Sequence, residues 1–212
     1  MNESNQLYTH NELDSGSYAV INKGKVDLVV LKYMAQRVRT MLRLLDTSVS
    51  MAVPLLHIVP ERHGRMHRMV FYELDVACFA RIVIFVGFVS KKQANLSQVV
   101  IDDIQLVDKM LVAELADSPG LLSYSSLELR NGNWYNLVLL SDADAKKHIR
   151  NAETHVYAAY QLAPRYYEWI RLHSGVMPDG LAPIELVLQK TRYYVFQRTQ
   201  LRPVIREMAY DS

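Results

Sequence analysis

The sequence predicts an α+β fold, an antiparallel sheet with helices in the order strand, helix, hairpin, long helix, strand, over residues 78–197. Three observations predict it. Residues 81–89, Arg-Ile-Val-Ile-Phe-Val-Gly-Phe-Val, are rich in β-branched and aromatic side chains and read as a central strand. Asn131-Gly132, a residue pair suited to a tight hairpin loop, separates two strand-like runs. Between and after these strands, apolar residues recur at steps of three and four, the period of a helix with one buried face.

Taken in order, residues 1–17 are polar and read as an arm without the apolar core of a signal peptide. Residues 18–77 form an N-terminal extension. Within it, 18–21 and 26–31 flank a turn at Asn22-Lys23-Gly24-Lys25. Residues 31–45 carry the helical stripe Leu31, Met34, Ala35, Val38, Met41, Leu42 and Leu45. From 47 to 68, Pro54, Pro60 and Gly64 interrupt any pattern, and the basic cluster Arg62, His63, Arg65, His67, Arg68 reads as a solvated loop. After the strand at 81–89, Asn95 or Ser97 caps a helix. Its buried stripe is Val100, Ile104, Val107, Met110 or Leu111, and Leu115, and Asp117-Ser-Pro-Gly120 ends it. If Asn131 and Gly132 are the whole hairpin loop, Leu129 lies opposite Trp134, Leu127 opposite Asn136 and Tyr124 opposite Leu139. Ser141 and Asp142 then open a long helix with the stripe Ile149, Ala152, Val156, Ala159 and Ala163. Pro164 kinks it and His173-Ser174-Gly175 closes it. Residues 184–196 are the last strand and 198–212 a tail. This is a ferredoxin-like βαββαβ order.

Composition narrows the function. Half the residues are hydrophobic, enough for a sizeable core, and the net charge is +2 without a basic stripe, which disfavours a nucleic-acid partner. Cys78 is the only cysteine, which suits a reducing compartment and excludes an intrachain disulfide. The most apolar run, 76–89, contains Arg81 and is too short for a bilayer, so no membrane span and a cytoplasmic location are expected. No phosphate loop, Gly-x-Gly-x-x-Gly, Gly-x-Ser-x-Gly or Cys-x-x-Cys is present.

Several residues carry chemistry, each with a plainer structural reading beside it. His148 and His155 are seven apart on the expected long helix and share a face. Helical metal ligands sit three or four apart, so no metal is expected there. His155 is the candidate general base, or else a hydrogen-bonded helix histidine. Trp134 and Asn136 stand two apart on one strand face, where an indole covers a flat ring and an amide holds an oxyanion. Their ordinary role is core packing and a cross-strand hydrogen bond. Tyr124 and Tyr193 are candidate substrate contacts among thirteen tyrosines. Residues 165–171, Arg-Tyr-Tyr-Glu-Trp-Ile-Arg, read as an amphipathic helix with Tyr166 and Ile170 inward and Arg165, Glu168 and Arg171 solvated.

The order of elements, Ser118-Pro-Gly-Leu121 ahead of the hairpin, and the strand–helix junction over 139–142 resemble the dimeric α/β-barrel superfamily, in its antibiotic-biosynthesis-monooxygenase-like branch. Residues 155, 162–167 (His; Leu-Ala-Pro-Arg-Tyr-Tyr) and 171–175 (Arg-Leu-His-Ser-Gly) have the look of uncharacterised relatives of that branch. The resemblance implies a homodimer built by packing two sheets face to face, with a pocket between sheet and helices. It also implies a cofactor-independent monooxygenase acting on a small planar or phenolic molecule; the residues read above then supply His155, Trp134 and Asn136 as its catalytic candidates and Tyr124, His148 and Tyr193 as its substrate contacts. The alternatives are a non-catalytic dimeric ligand-binding or regulatory protein, a lyase or isomerase, and a haem-degrading relative. The last loses two of its three residues, because Trp134 opens its strand instead of ending it and 81–89 has no Asn. The fold by itself licenses no reaction.

Overall fold

The computed structural model describes residues 15–45, 53–196 and 202–210, with 15–23 as backbone only. The expected polar arm lies almost wholly outside these residues. The chain is α+β. Among the described residues, eight strands, β1 (Leu55–Pro60), β2 (Met66–Phe71), β3 (Val83–Lys92), β4 (Leu121–Glu128), β5 (Asn133–Leu140), β6 (Tyr167–Met177), β7 (Val187–Val195) and β8 (Val204–Ala209), form one sheet. Their order is β1-β2-β4-β5-β3-β6-β7-β8 and every pair is antiparallel. The boundary expected near residue 78 therefore falls inside a single sheet, since β2 pairs with β4.

One sheet face is covered by α1 (Ser15–Leu44) with the short α2 (Leu74–Phe79). The predicted stripe Leu31, Met34, Ala35, Val38 and Leu42 is buried against Phe71, Phe85, Leu137 and Met177. That burial contributes on the order of 10 kcal/mol before conformational entropy is subtracted. The helix approaches closely because Gly87 has no side chain: a Cβ there would stand 2.3 Å from a Leu31 methyl. The expected dimer rested on an uncovered sheet face; the chain's own α1 covers it. The helix also runs straight through residues 22–25, where a turn was expected. Gly24 there is buried beside Tyr210 and His173, so packing against the sheet overrides the weak local turn signal.

The other face carries α3 (Gln98–Glu114), α4 (Ala143–Asn151), α5 (Glu153–Tyr157) and α6 (Ala163–Tyr166). Ser97 caps α3, its hydroxyl accepting from the Val100 amide, and Asp142 caps α4, accepting from Asp144 and Ala145. Val100 and Val107 point inward as expected, and of the alternatives Met110 or Leu111 it is Leu111 that packs inward while Met110 is exposed. Among the described residues, no helix is long and apolar enough to cross a membrane.

Three further expectations are corrected. The hairpin loop is Arg130-Asn131-Gly132, not Asn131-Gly132: Leu129 accepts from the Gly132 amide (2.9 Å) and its own amide donates to Asn133 (2.9 Å). Gly132 has φ +77 while Asn131 is not among the positive-φ residues, so this is a three-residue loop ending in a left-handed glycine. The register shifts by one, to Glu128↔Trp134, Ser126↔Asn136 and Tyr124↔Val138. The long helix is also broken. Ala152 adopts ψ 134, the Glu114 carboxylate accepts from the Glu153 and Thr154 amides to start α5, and a π-type turn, Ala158–Leu162, precedes α6. Val156 is consequently exposed. Finally, the segment expected to finish that helix is β6, whose aromatic and β-branched residues pair with β3, and the tail contributes β8.

Candidate functional site

The corrected register brings Tyr124, Trp134 and Asn136 onto the α3 face. A cross-strand row runs Arg68, Ser126, Asn136, Phe88, Leu172 through β2, β4, β5, β3 and β6. Trp134 lies one pleat away between Glu128 and Ser90, and Tyr124 one pleat the other way, opposite Val138. The Trp134 indole N–H donates to Asn136 Oδ1 (3.0 Å), which fixes the amide orientation. The Asn136 NH2 group has no hydrogen-bond partner among the described residues. Trp134 is 40 % exposed, so an arriving ring can reach this wall.

Arg68, expected in a solvated loop, stands in β2 and reaches α3. Its Nη1 and Nη2 donate to Asp108 (2.5 and 2.7 Å), its Nε donates to Ser126 Oγ (3.2 Å), and its guanidinium lies 5.5 Å from the Tyr124 ring centre. Burial opposes the Arg68 cation, but its Asp108 hydrogen bonds outweigh that and hold the pKa above the usual range. Burial pushes the phenols of Tyr124, Tyr72 and Tyr167 up, so all three stay neutral. Tyr72 donates to the Val112 carbonyl, and Tyr167 stacks edge-on against Phe88 at 5.5 Å. The Asn136 carboxamide, the Ser126 hydroxyl opposite it and the paired guanidinium of Arg68 therefore make this wall polar. Such a set donates to an oxyanion or a carbonyl oxygen.

The other predicted residues stand elsewhere. Tyr193 is on the α1 face, opposite Arg171 and 6.2 Å from the Trp169 ring. His148 is exposed on α4, and the break at Ala152 removes the shared helical face it was expected to have with His155. His155 is half-buried on α5 with Nδ1 unpartnered among the described residues. Burial lowers its pKa. It lies near Glu114 at the C-terminal end of α3. Trp134 belongs to the opposite end, because its partner Ser90 leads through β3 to the Ser97 cap. The six steps of β5 from Trp134 to its end at Leu140 span roughly 20 Å. The structure does not bring His155 beside Trp134.

A second polar cluster, which sequence reasoning missed, lies beneath α1. Asp27 accepts from Arg171 Nε (2.6 Å) and Nη2 (2.9 Å) and from the Tyr135 hydroxyl (2.9 Å). His173 Nε2 stands 3.0 Å from the same carboxylate and its Nδ1 2.9 Å from Thr191 Oγ1. Burial would raise the Asp27 pKa, but the bonds from His173 and Arg171 prevail and hold it below the usual carboxylate range. Carboxylate, imidazole and hydroxyl in line resemble a nucleophile relay. Here, however, Asp27, His173 and Thr191 are each at most 1 % exposed. The cluster joins helix to sheet. Its sequence signal was the period-two alternation of Trp169, Arg171 and His173 against Ile170 and Leu172.

No family model and no curated protein matches the chain. Among solved structures, it is similar to the Pseudomonas aeruginosa protein PA3566 (12 % identity, 45 % of this chain and 93 % of that one, TM-score 0.38). It is similar to the Shewanella oneidensis protein SO0527 (10 %, 46 % and 91 %, TM-score 0.39). It is also similar to SnoaB, a cofactor-independent oxygenase from Streptomyces nogalater (18 %, 46 % and 91 %, TM-score 0.33). At these scores the likenesses transfer neither activity nor site residues to this chain.

Proposed function

We propose that this protein is a small-molecule enzyme of the cofactor-independent oxygenase kind, built on a ferredoxin-like unit of β3, α3, β4, β5, α4–α6 and β6. The observation that carries the reading is the Trp134–Asn136 pair: an exposed indole wall beside an amide whose carbonyl is held and whose N–H groups are unengaged among the described residues. A planar phenol stacks on Trp134 while Asn136 donates to its oxygen and favours the phenolate. Arg68, Ser126 and Tyr124 keep the adjoining ground polar. The phenolate passes an electron to O2, and the resulting radicals join as a hydroperoxide at the ring carbon. Loss of water then leaves a quinone. One O2 is consumed, and the hydroxyl and ring hydrogens both end in the water. No proton transfer is assigned to His155, given its place at the far end of α3.

The test is oxygen uptake with a panel of polyphenols. Wild type is expected to consume O2, with Asn136→Ala and Trp134→Leu losing at least tenfold in rate while staying folded. Uptake unchanged in both variants refutes the site. A second reading, a non-catalytic binding protein, is favoured by Arg68 and Asp108 already satisfying each other. It is the outcome if phenols quench Trp134 fluorescence without any oxygen uptake.

A further inference from the structure

The two edges of the sheet differ. At one edge β8 carries Arg206 and Glu207, and Glu207 pairs with Lys190 and Arg192 of β7. Charges on an edge strand are the usual protection against strand addition. At the other edge β1 is Leu-Leu-His-Ile-Val-Pro, without Asp, Glu, Lys or Arg. Leu56 and Ile58 are each 54 % exposed, and Met66 of β2 beside them is 51 % exposed. No described strand pairs with the outer side of β1.

The direction of its free backbone groups follows from the hairpin. The Glu61 amide donates to the Arg65 carbonyl (2.7 Å), in the same register that pairs Leu55 with Phe71. Hydrogen-bonded pairs alternate along an antiparallel ladder. The odd-numbered residues of β1 therefore face β2, and Leu56 and Ile58 present N–H and C=O outward.

Residues 54–60 read Pro-Leu-Leu-His-Ile-Val-Pro, symmetric in character about His57. We propose that β1 pairs antiparallel with β1 of a second copy about a two-fold axis through His57, joining the two sheets edge to edge. In that register Leu56 faces the partner's Ile58, and Ile58 faces the partner's Leu56. Every outward N–H and C=O of these residues is then bonded. The prolines, which have no N–H to offer, fall opposite one another at the ends. Shifting the register by two residues places a proline against Leu56 or Ile58 and leaves a carbonyl unpaired. The exposed stripe of Leu56, Ile58 and Met66 becomes continuous across the axis, as an isologous interface requires. His57 faces its own copy across the axis, at the one pair of this register whose backbone groups point back to β2.

Sedimentation equilibrium of the full chain tests this. Wild type is expected at twice 24.4 kDa at tens of micromolar. Ile58→Lys puts a charge on the stripe, and Ile58→Pro removes an outward N–H without touching the β2 ladder. Both are expected to be folded by circular dichroism and monomeric, with the dissociation constant raised at least ~10-fold. The control Ile205→Lys on β8 is expected to stay dimeric. In a Cys78→Ser background, His57→Cys is expected to cross-link on oxidation, because directly opposed residues of a non-hydrogen-bonded pair lie about 4.5 Å apart at Cα. A monomeric wild type overturns the proposal. So does a dimer that survives Ile58→Lys or dissociates with Ile205→Lys, and absence of the cross-link overturns the axis through His57.

Discussion

Each face of the sheet holds an arginine–aspartate pair, and the two pairs have different surroundings. Under α1, Asp27 and Arg171 are nearly sealed, with side chains 2 % and 6 % exposed, and Tyr135 and His173 complete the carboxylate's bonds. Under α3, Arg68 and Asp108 are 25 % and 35 % exposed, on the same face as Trp134, which is open to solvent. A sealed, fully bonded network fixes the position of a helix. A half-open one beside an exposed ring leaves room for something to arrive. The same chemistry thus acts as a joint on one face and as ground for a site on the other, and burial decides between them.

The largest expected effect lies at the joint. Asp27→Ala leaves the Arg171 cation buried without its carboxylate and is expected to destabilise the protein by about 3–5 kcal/mol. Urea unfolding measures this. A loss below about 1 kcal/mol would mean that α1 is held by its apolar stripe alone.

Next comes a pH effect on the same face. His67 is fully buried, with Nδ1 3.6 Å from Glu61, and burial lowers its pKa to about 4. The unfolded chain binds a proton near pH 6.5 that the folded chain refuses. Stability is therefore expected to fall as pH drops from about 6.5 to about 4, by up to about 3 kcal/mol, and to level off below that. Asp27 acts in a lower window: its depressed pKa adds stability above about 3.8 that is lost as pH falls further. Melting temperatures of wild type and His67→Leu across pH 4–7 separate the two, since the variant should lose most of the slope between 6.5 and 4 and keep only the part contributed by His155, whose pKa burial also lowers. Equal slopes in both proteins would remove His67 as the cause.

On the open face the matching substitution is expected to matter less for stability and more for ligands. Arg68→Ala frees an Asp108 that solvent already reaches, so about 1–2 kcal/mol is lost. Affinity for a phenolic ligand should fall at least tenfold. A stability loss as large as that of Asp27→Ala would erase the contrast between the faces.

How much of this was legible in the sequence follows from which signals are local. The strand around Phe85, the caps at Ser97 and Asp142 and the stripe of α1 all rest on near neighbours in the chain, and all are present. β6 was hidden because Tyr166, Ile170 and Ala163 also satisfy a helical spacing, and only the partner strand β3 decides between the periods. Arg68 and Arg171 looked solvated because their carboxylates are 40 and 144 residues away in the chain. The Trp134–Asn136 pair was visible because two residues on one strand share a face whatever the register. Tyr124 joined them only through a loop one residue longer than expected.

That loop is the smallest test and bears directly on the comparison, since a one-residue slip exchanges the faces of β4. In the observed loop Gly132 alone has positive φ, so Gly132→Val is expected to cost about 1 kcal/mol or more. Asn131 has no such constraint. Its Oδ1 accepts from the Asn133 amide (3.0 Å) at an exposed position, so Asn131→Ala should lose only about 0.5 kcal/mol. A two-residue loop of the mirror-image kind demands positive φ at both positions, and there Asn131→Ala would approach the glycine substitution in cost. Comparable losses for the two variants in chemical denaturation would therefore restore the two-residue register. Tyr124 would then turn to the α1 face, leaving Trp134 and Asn136 without the phenol that adjoins them.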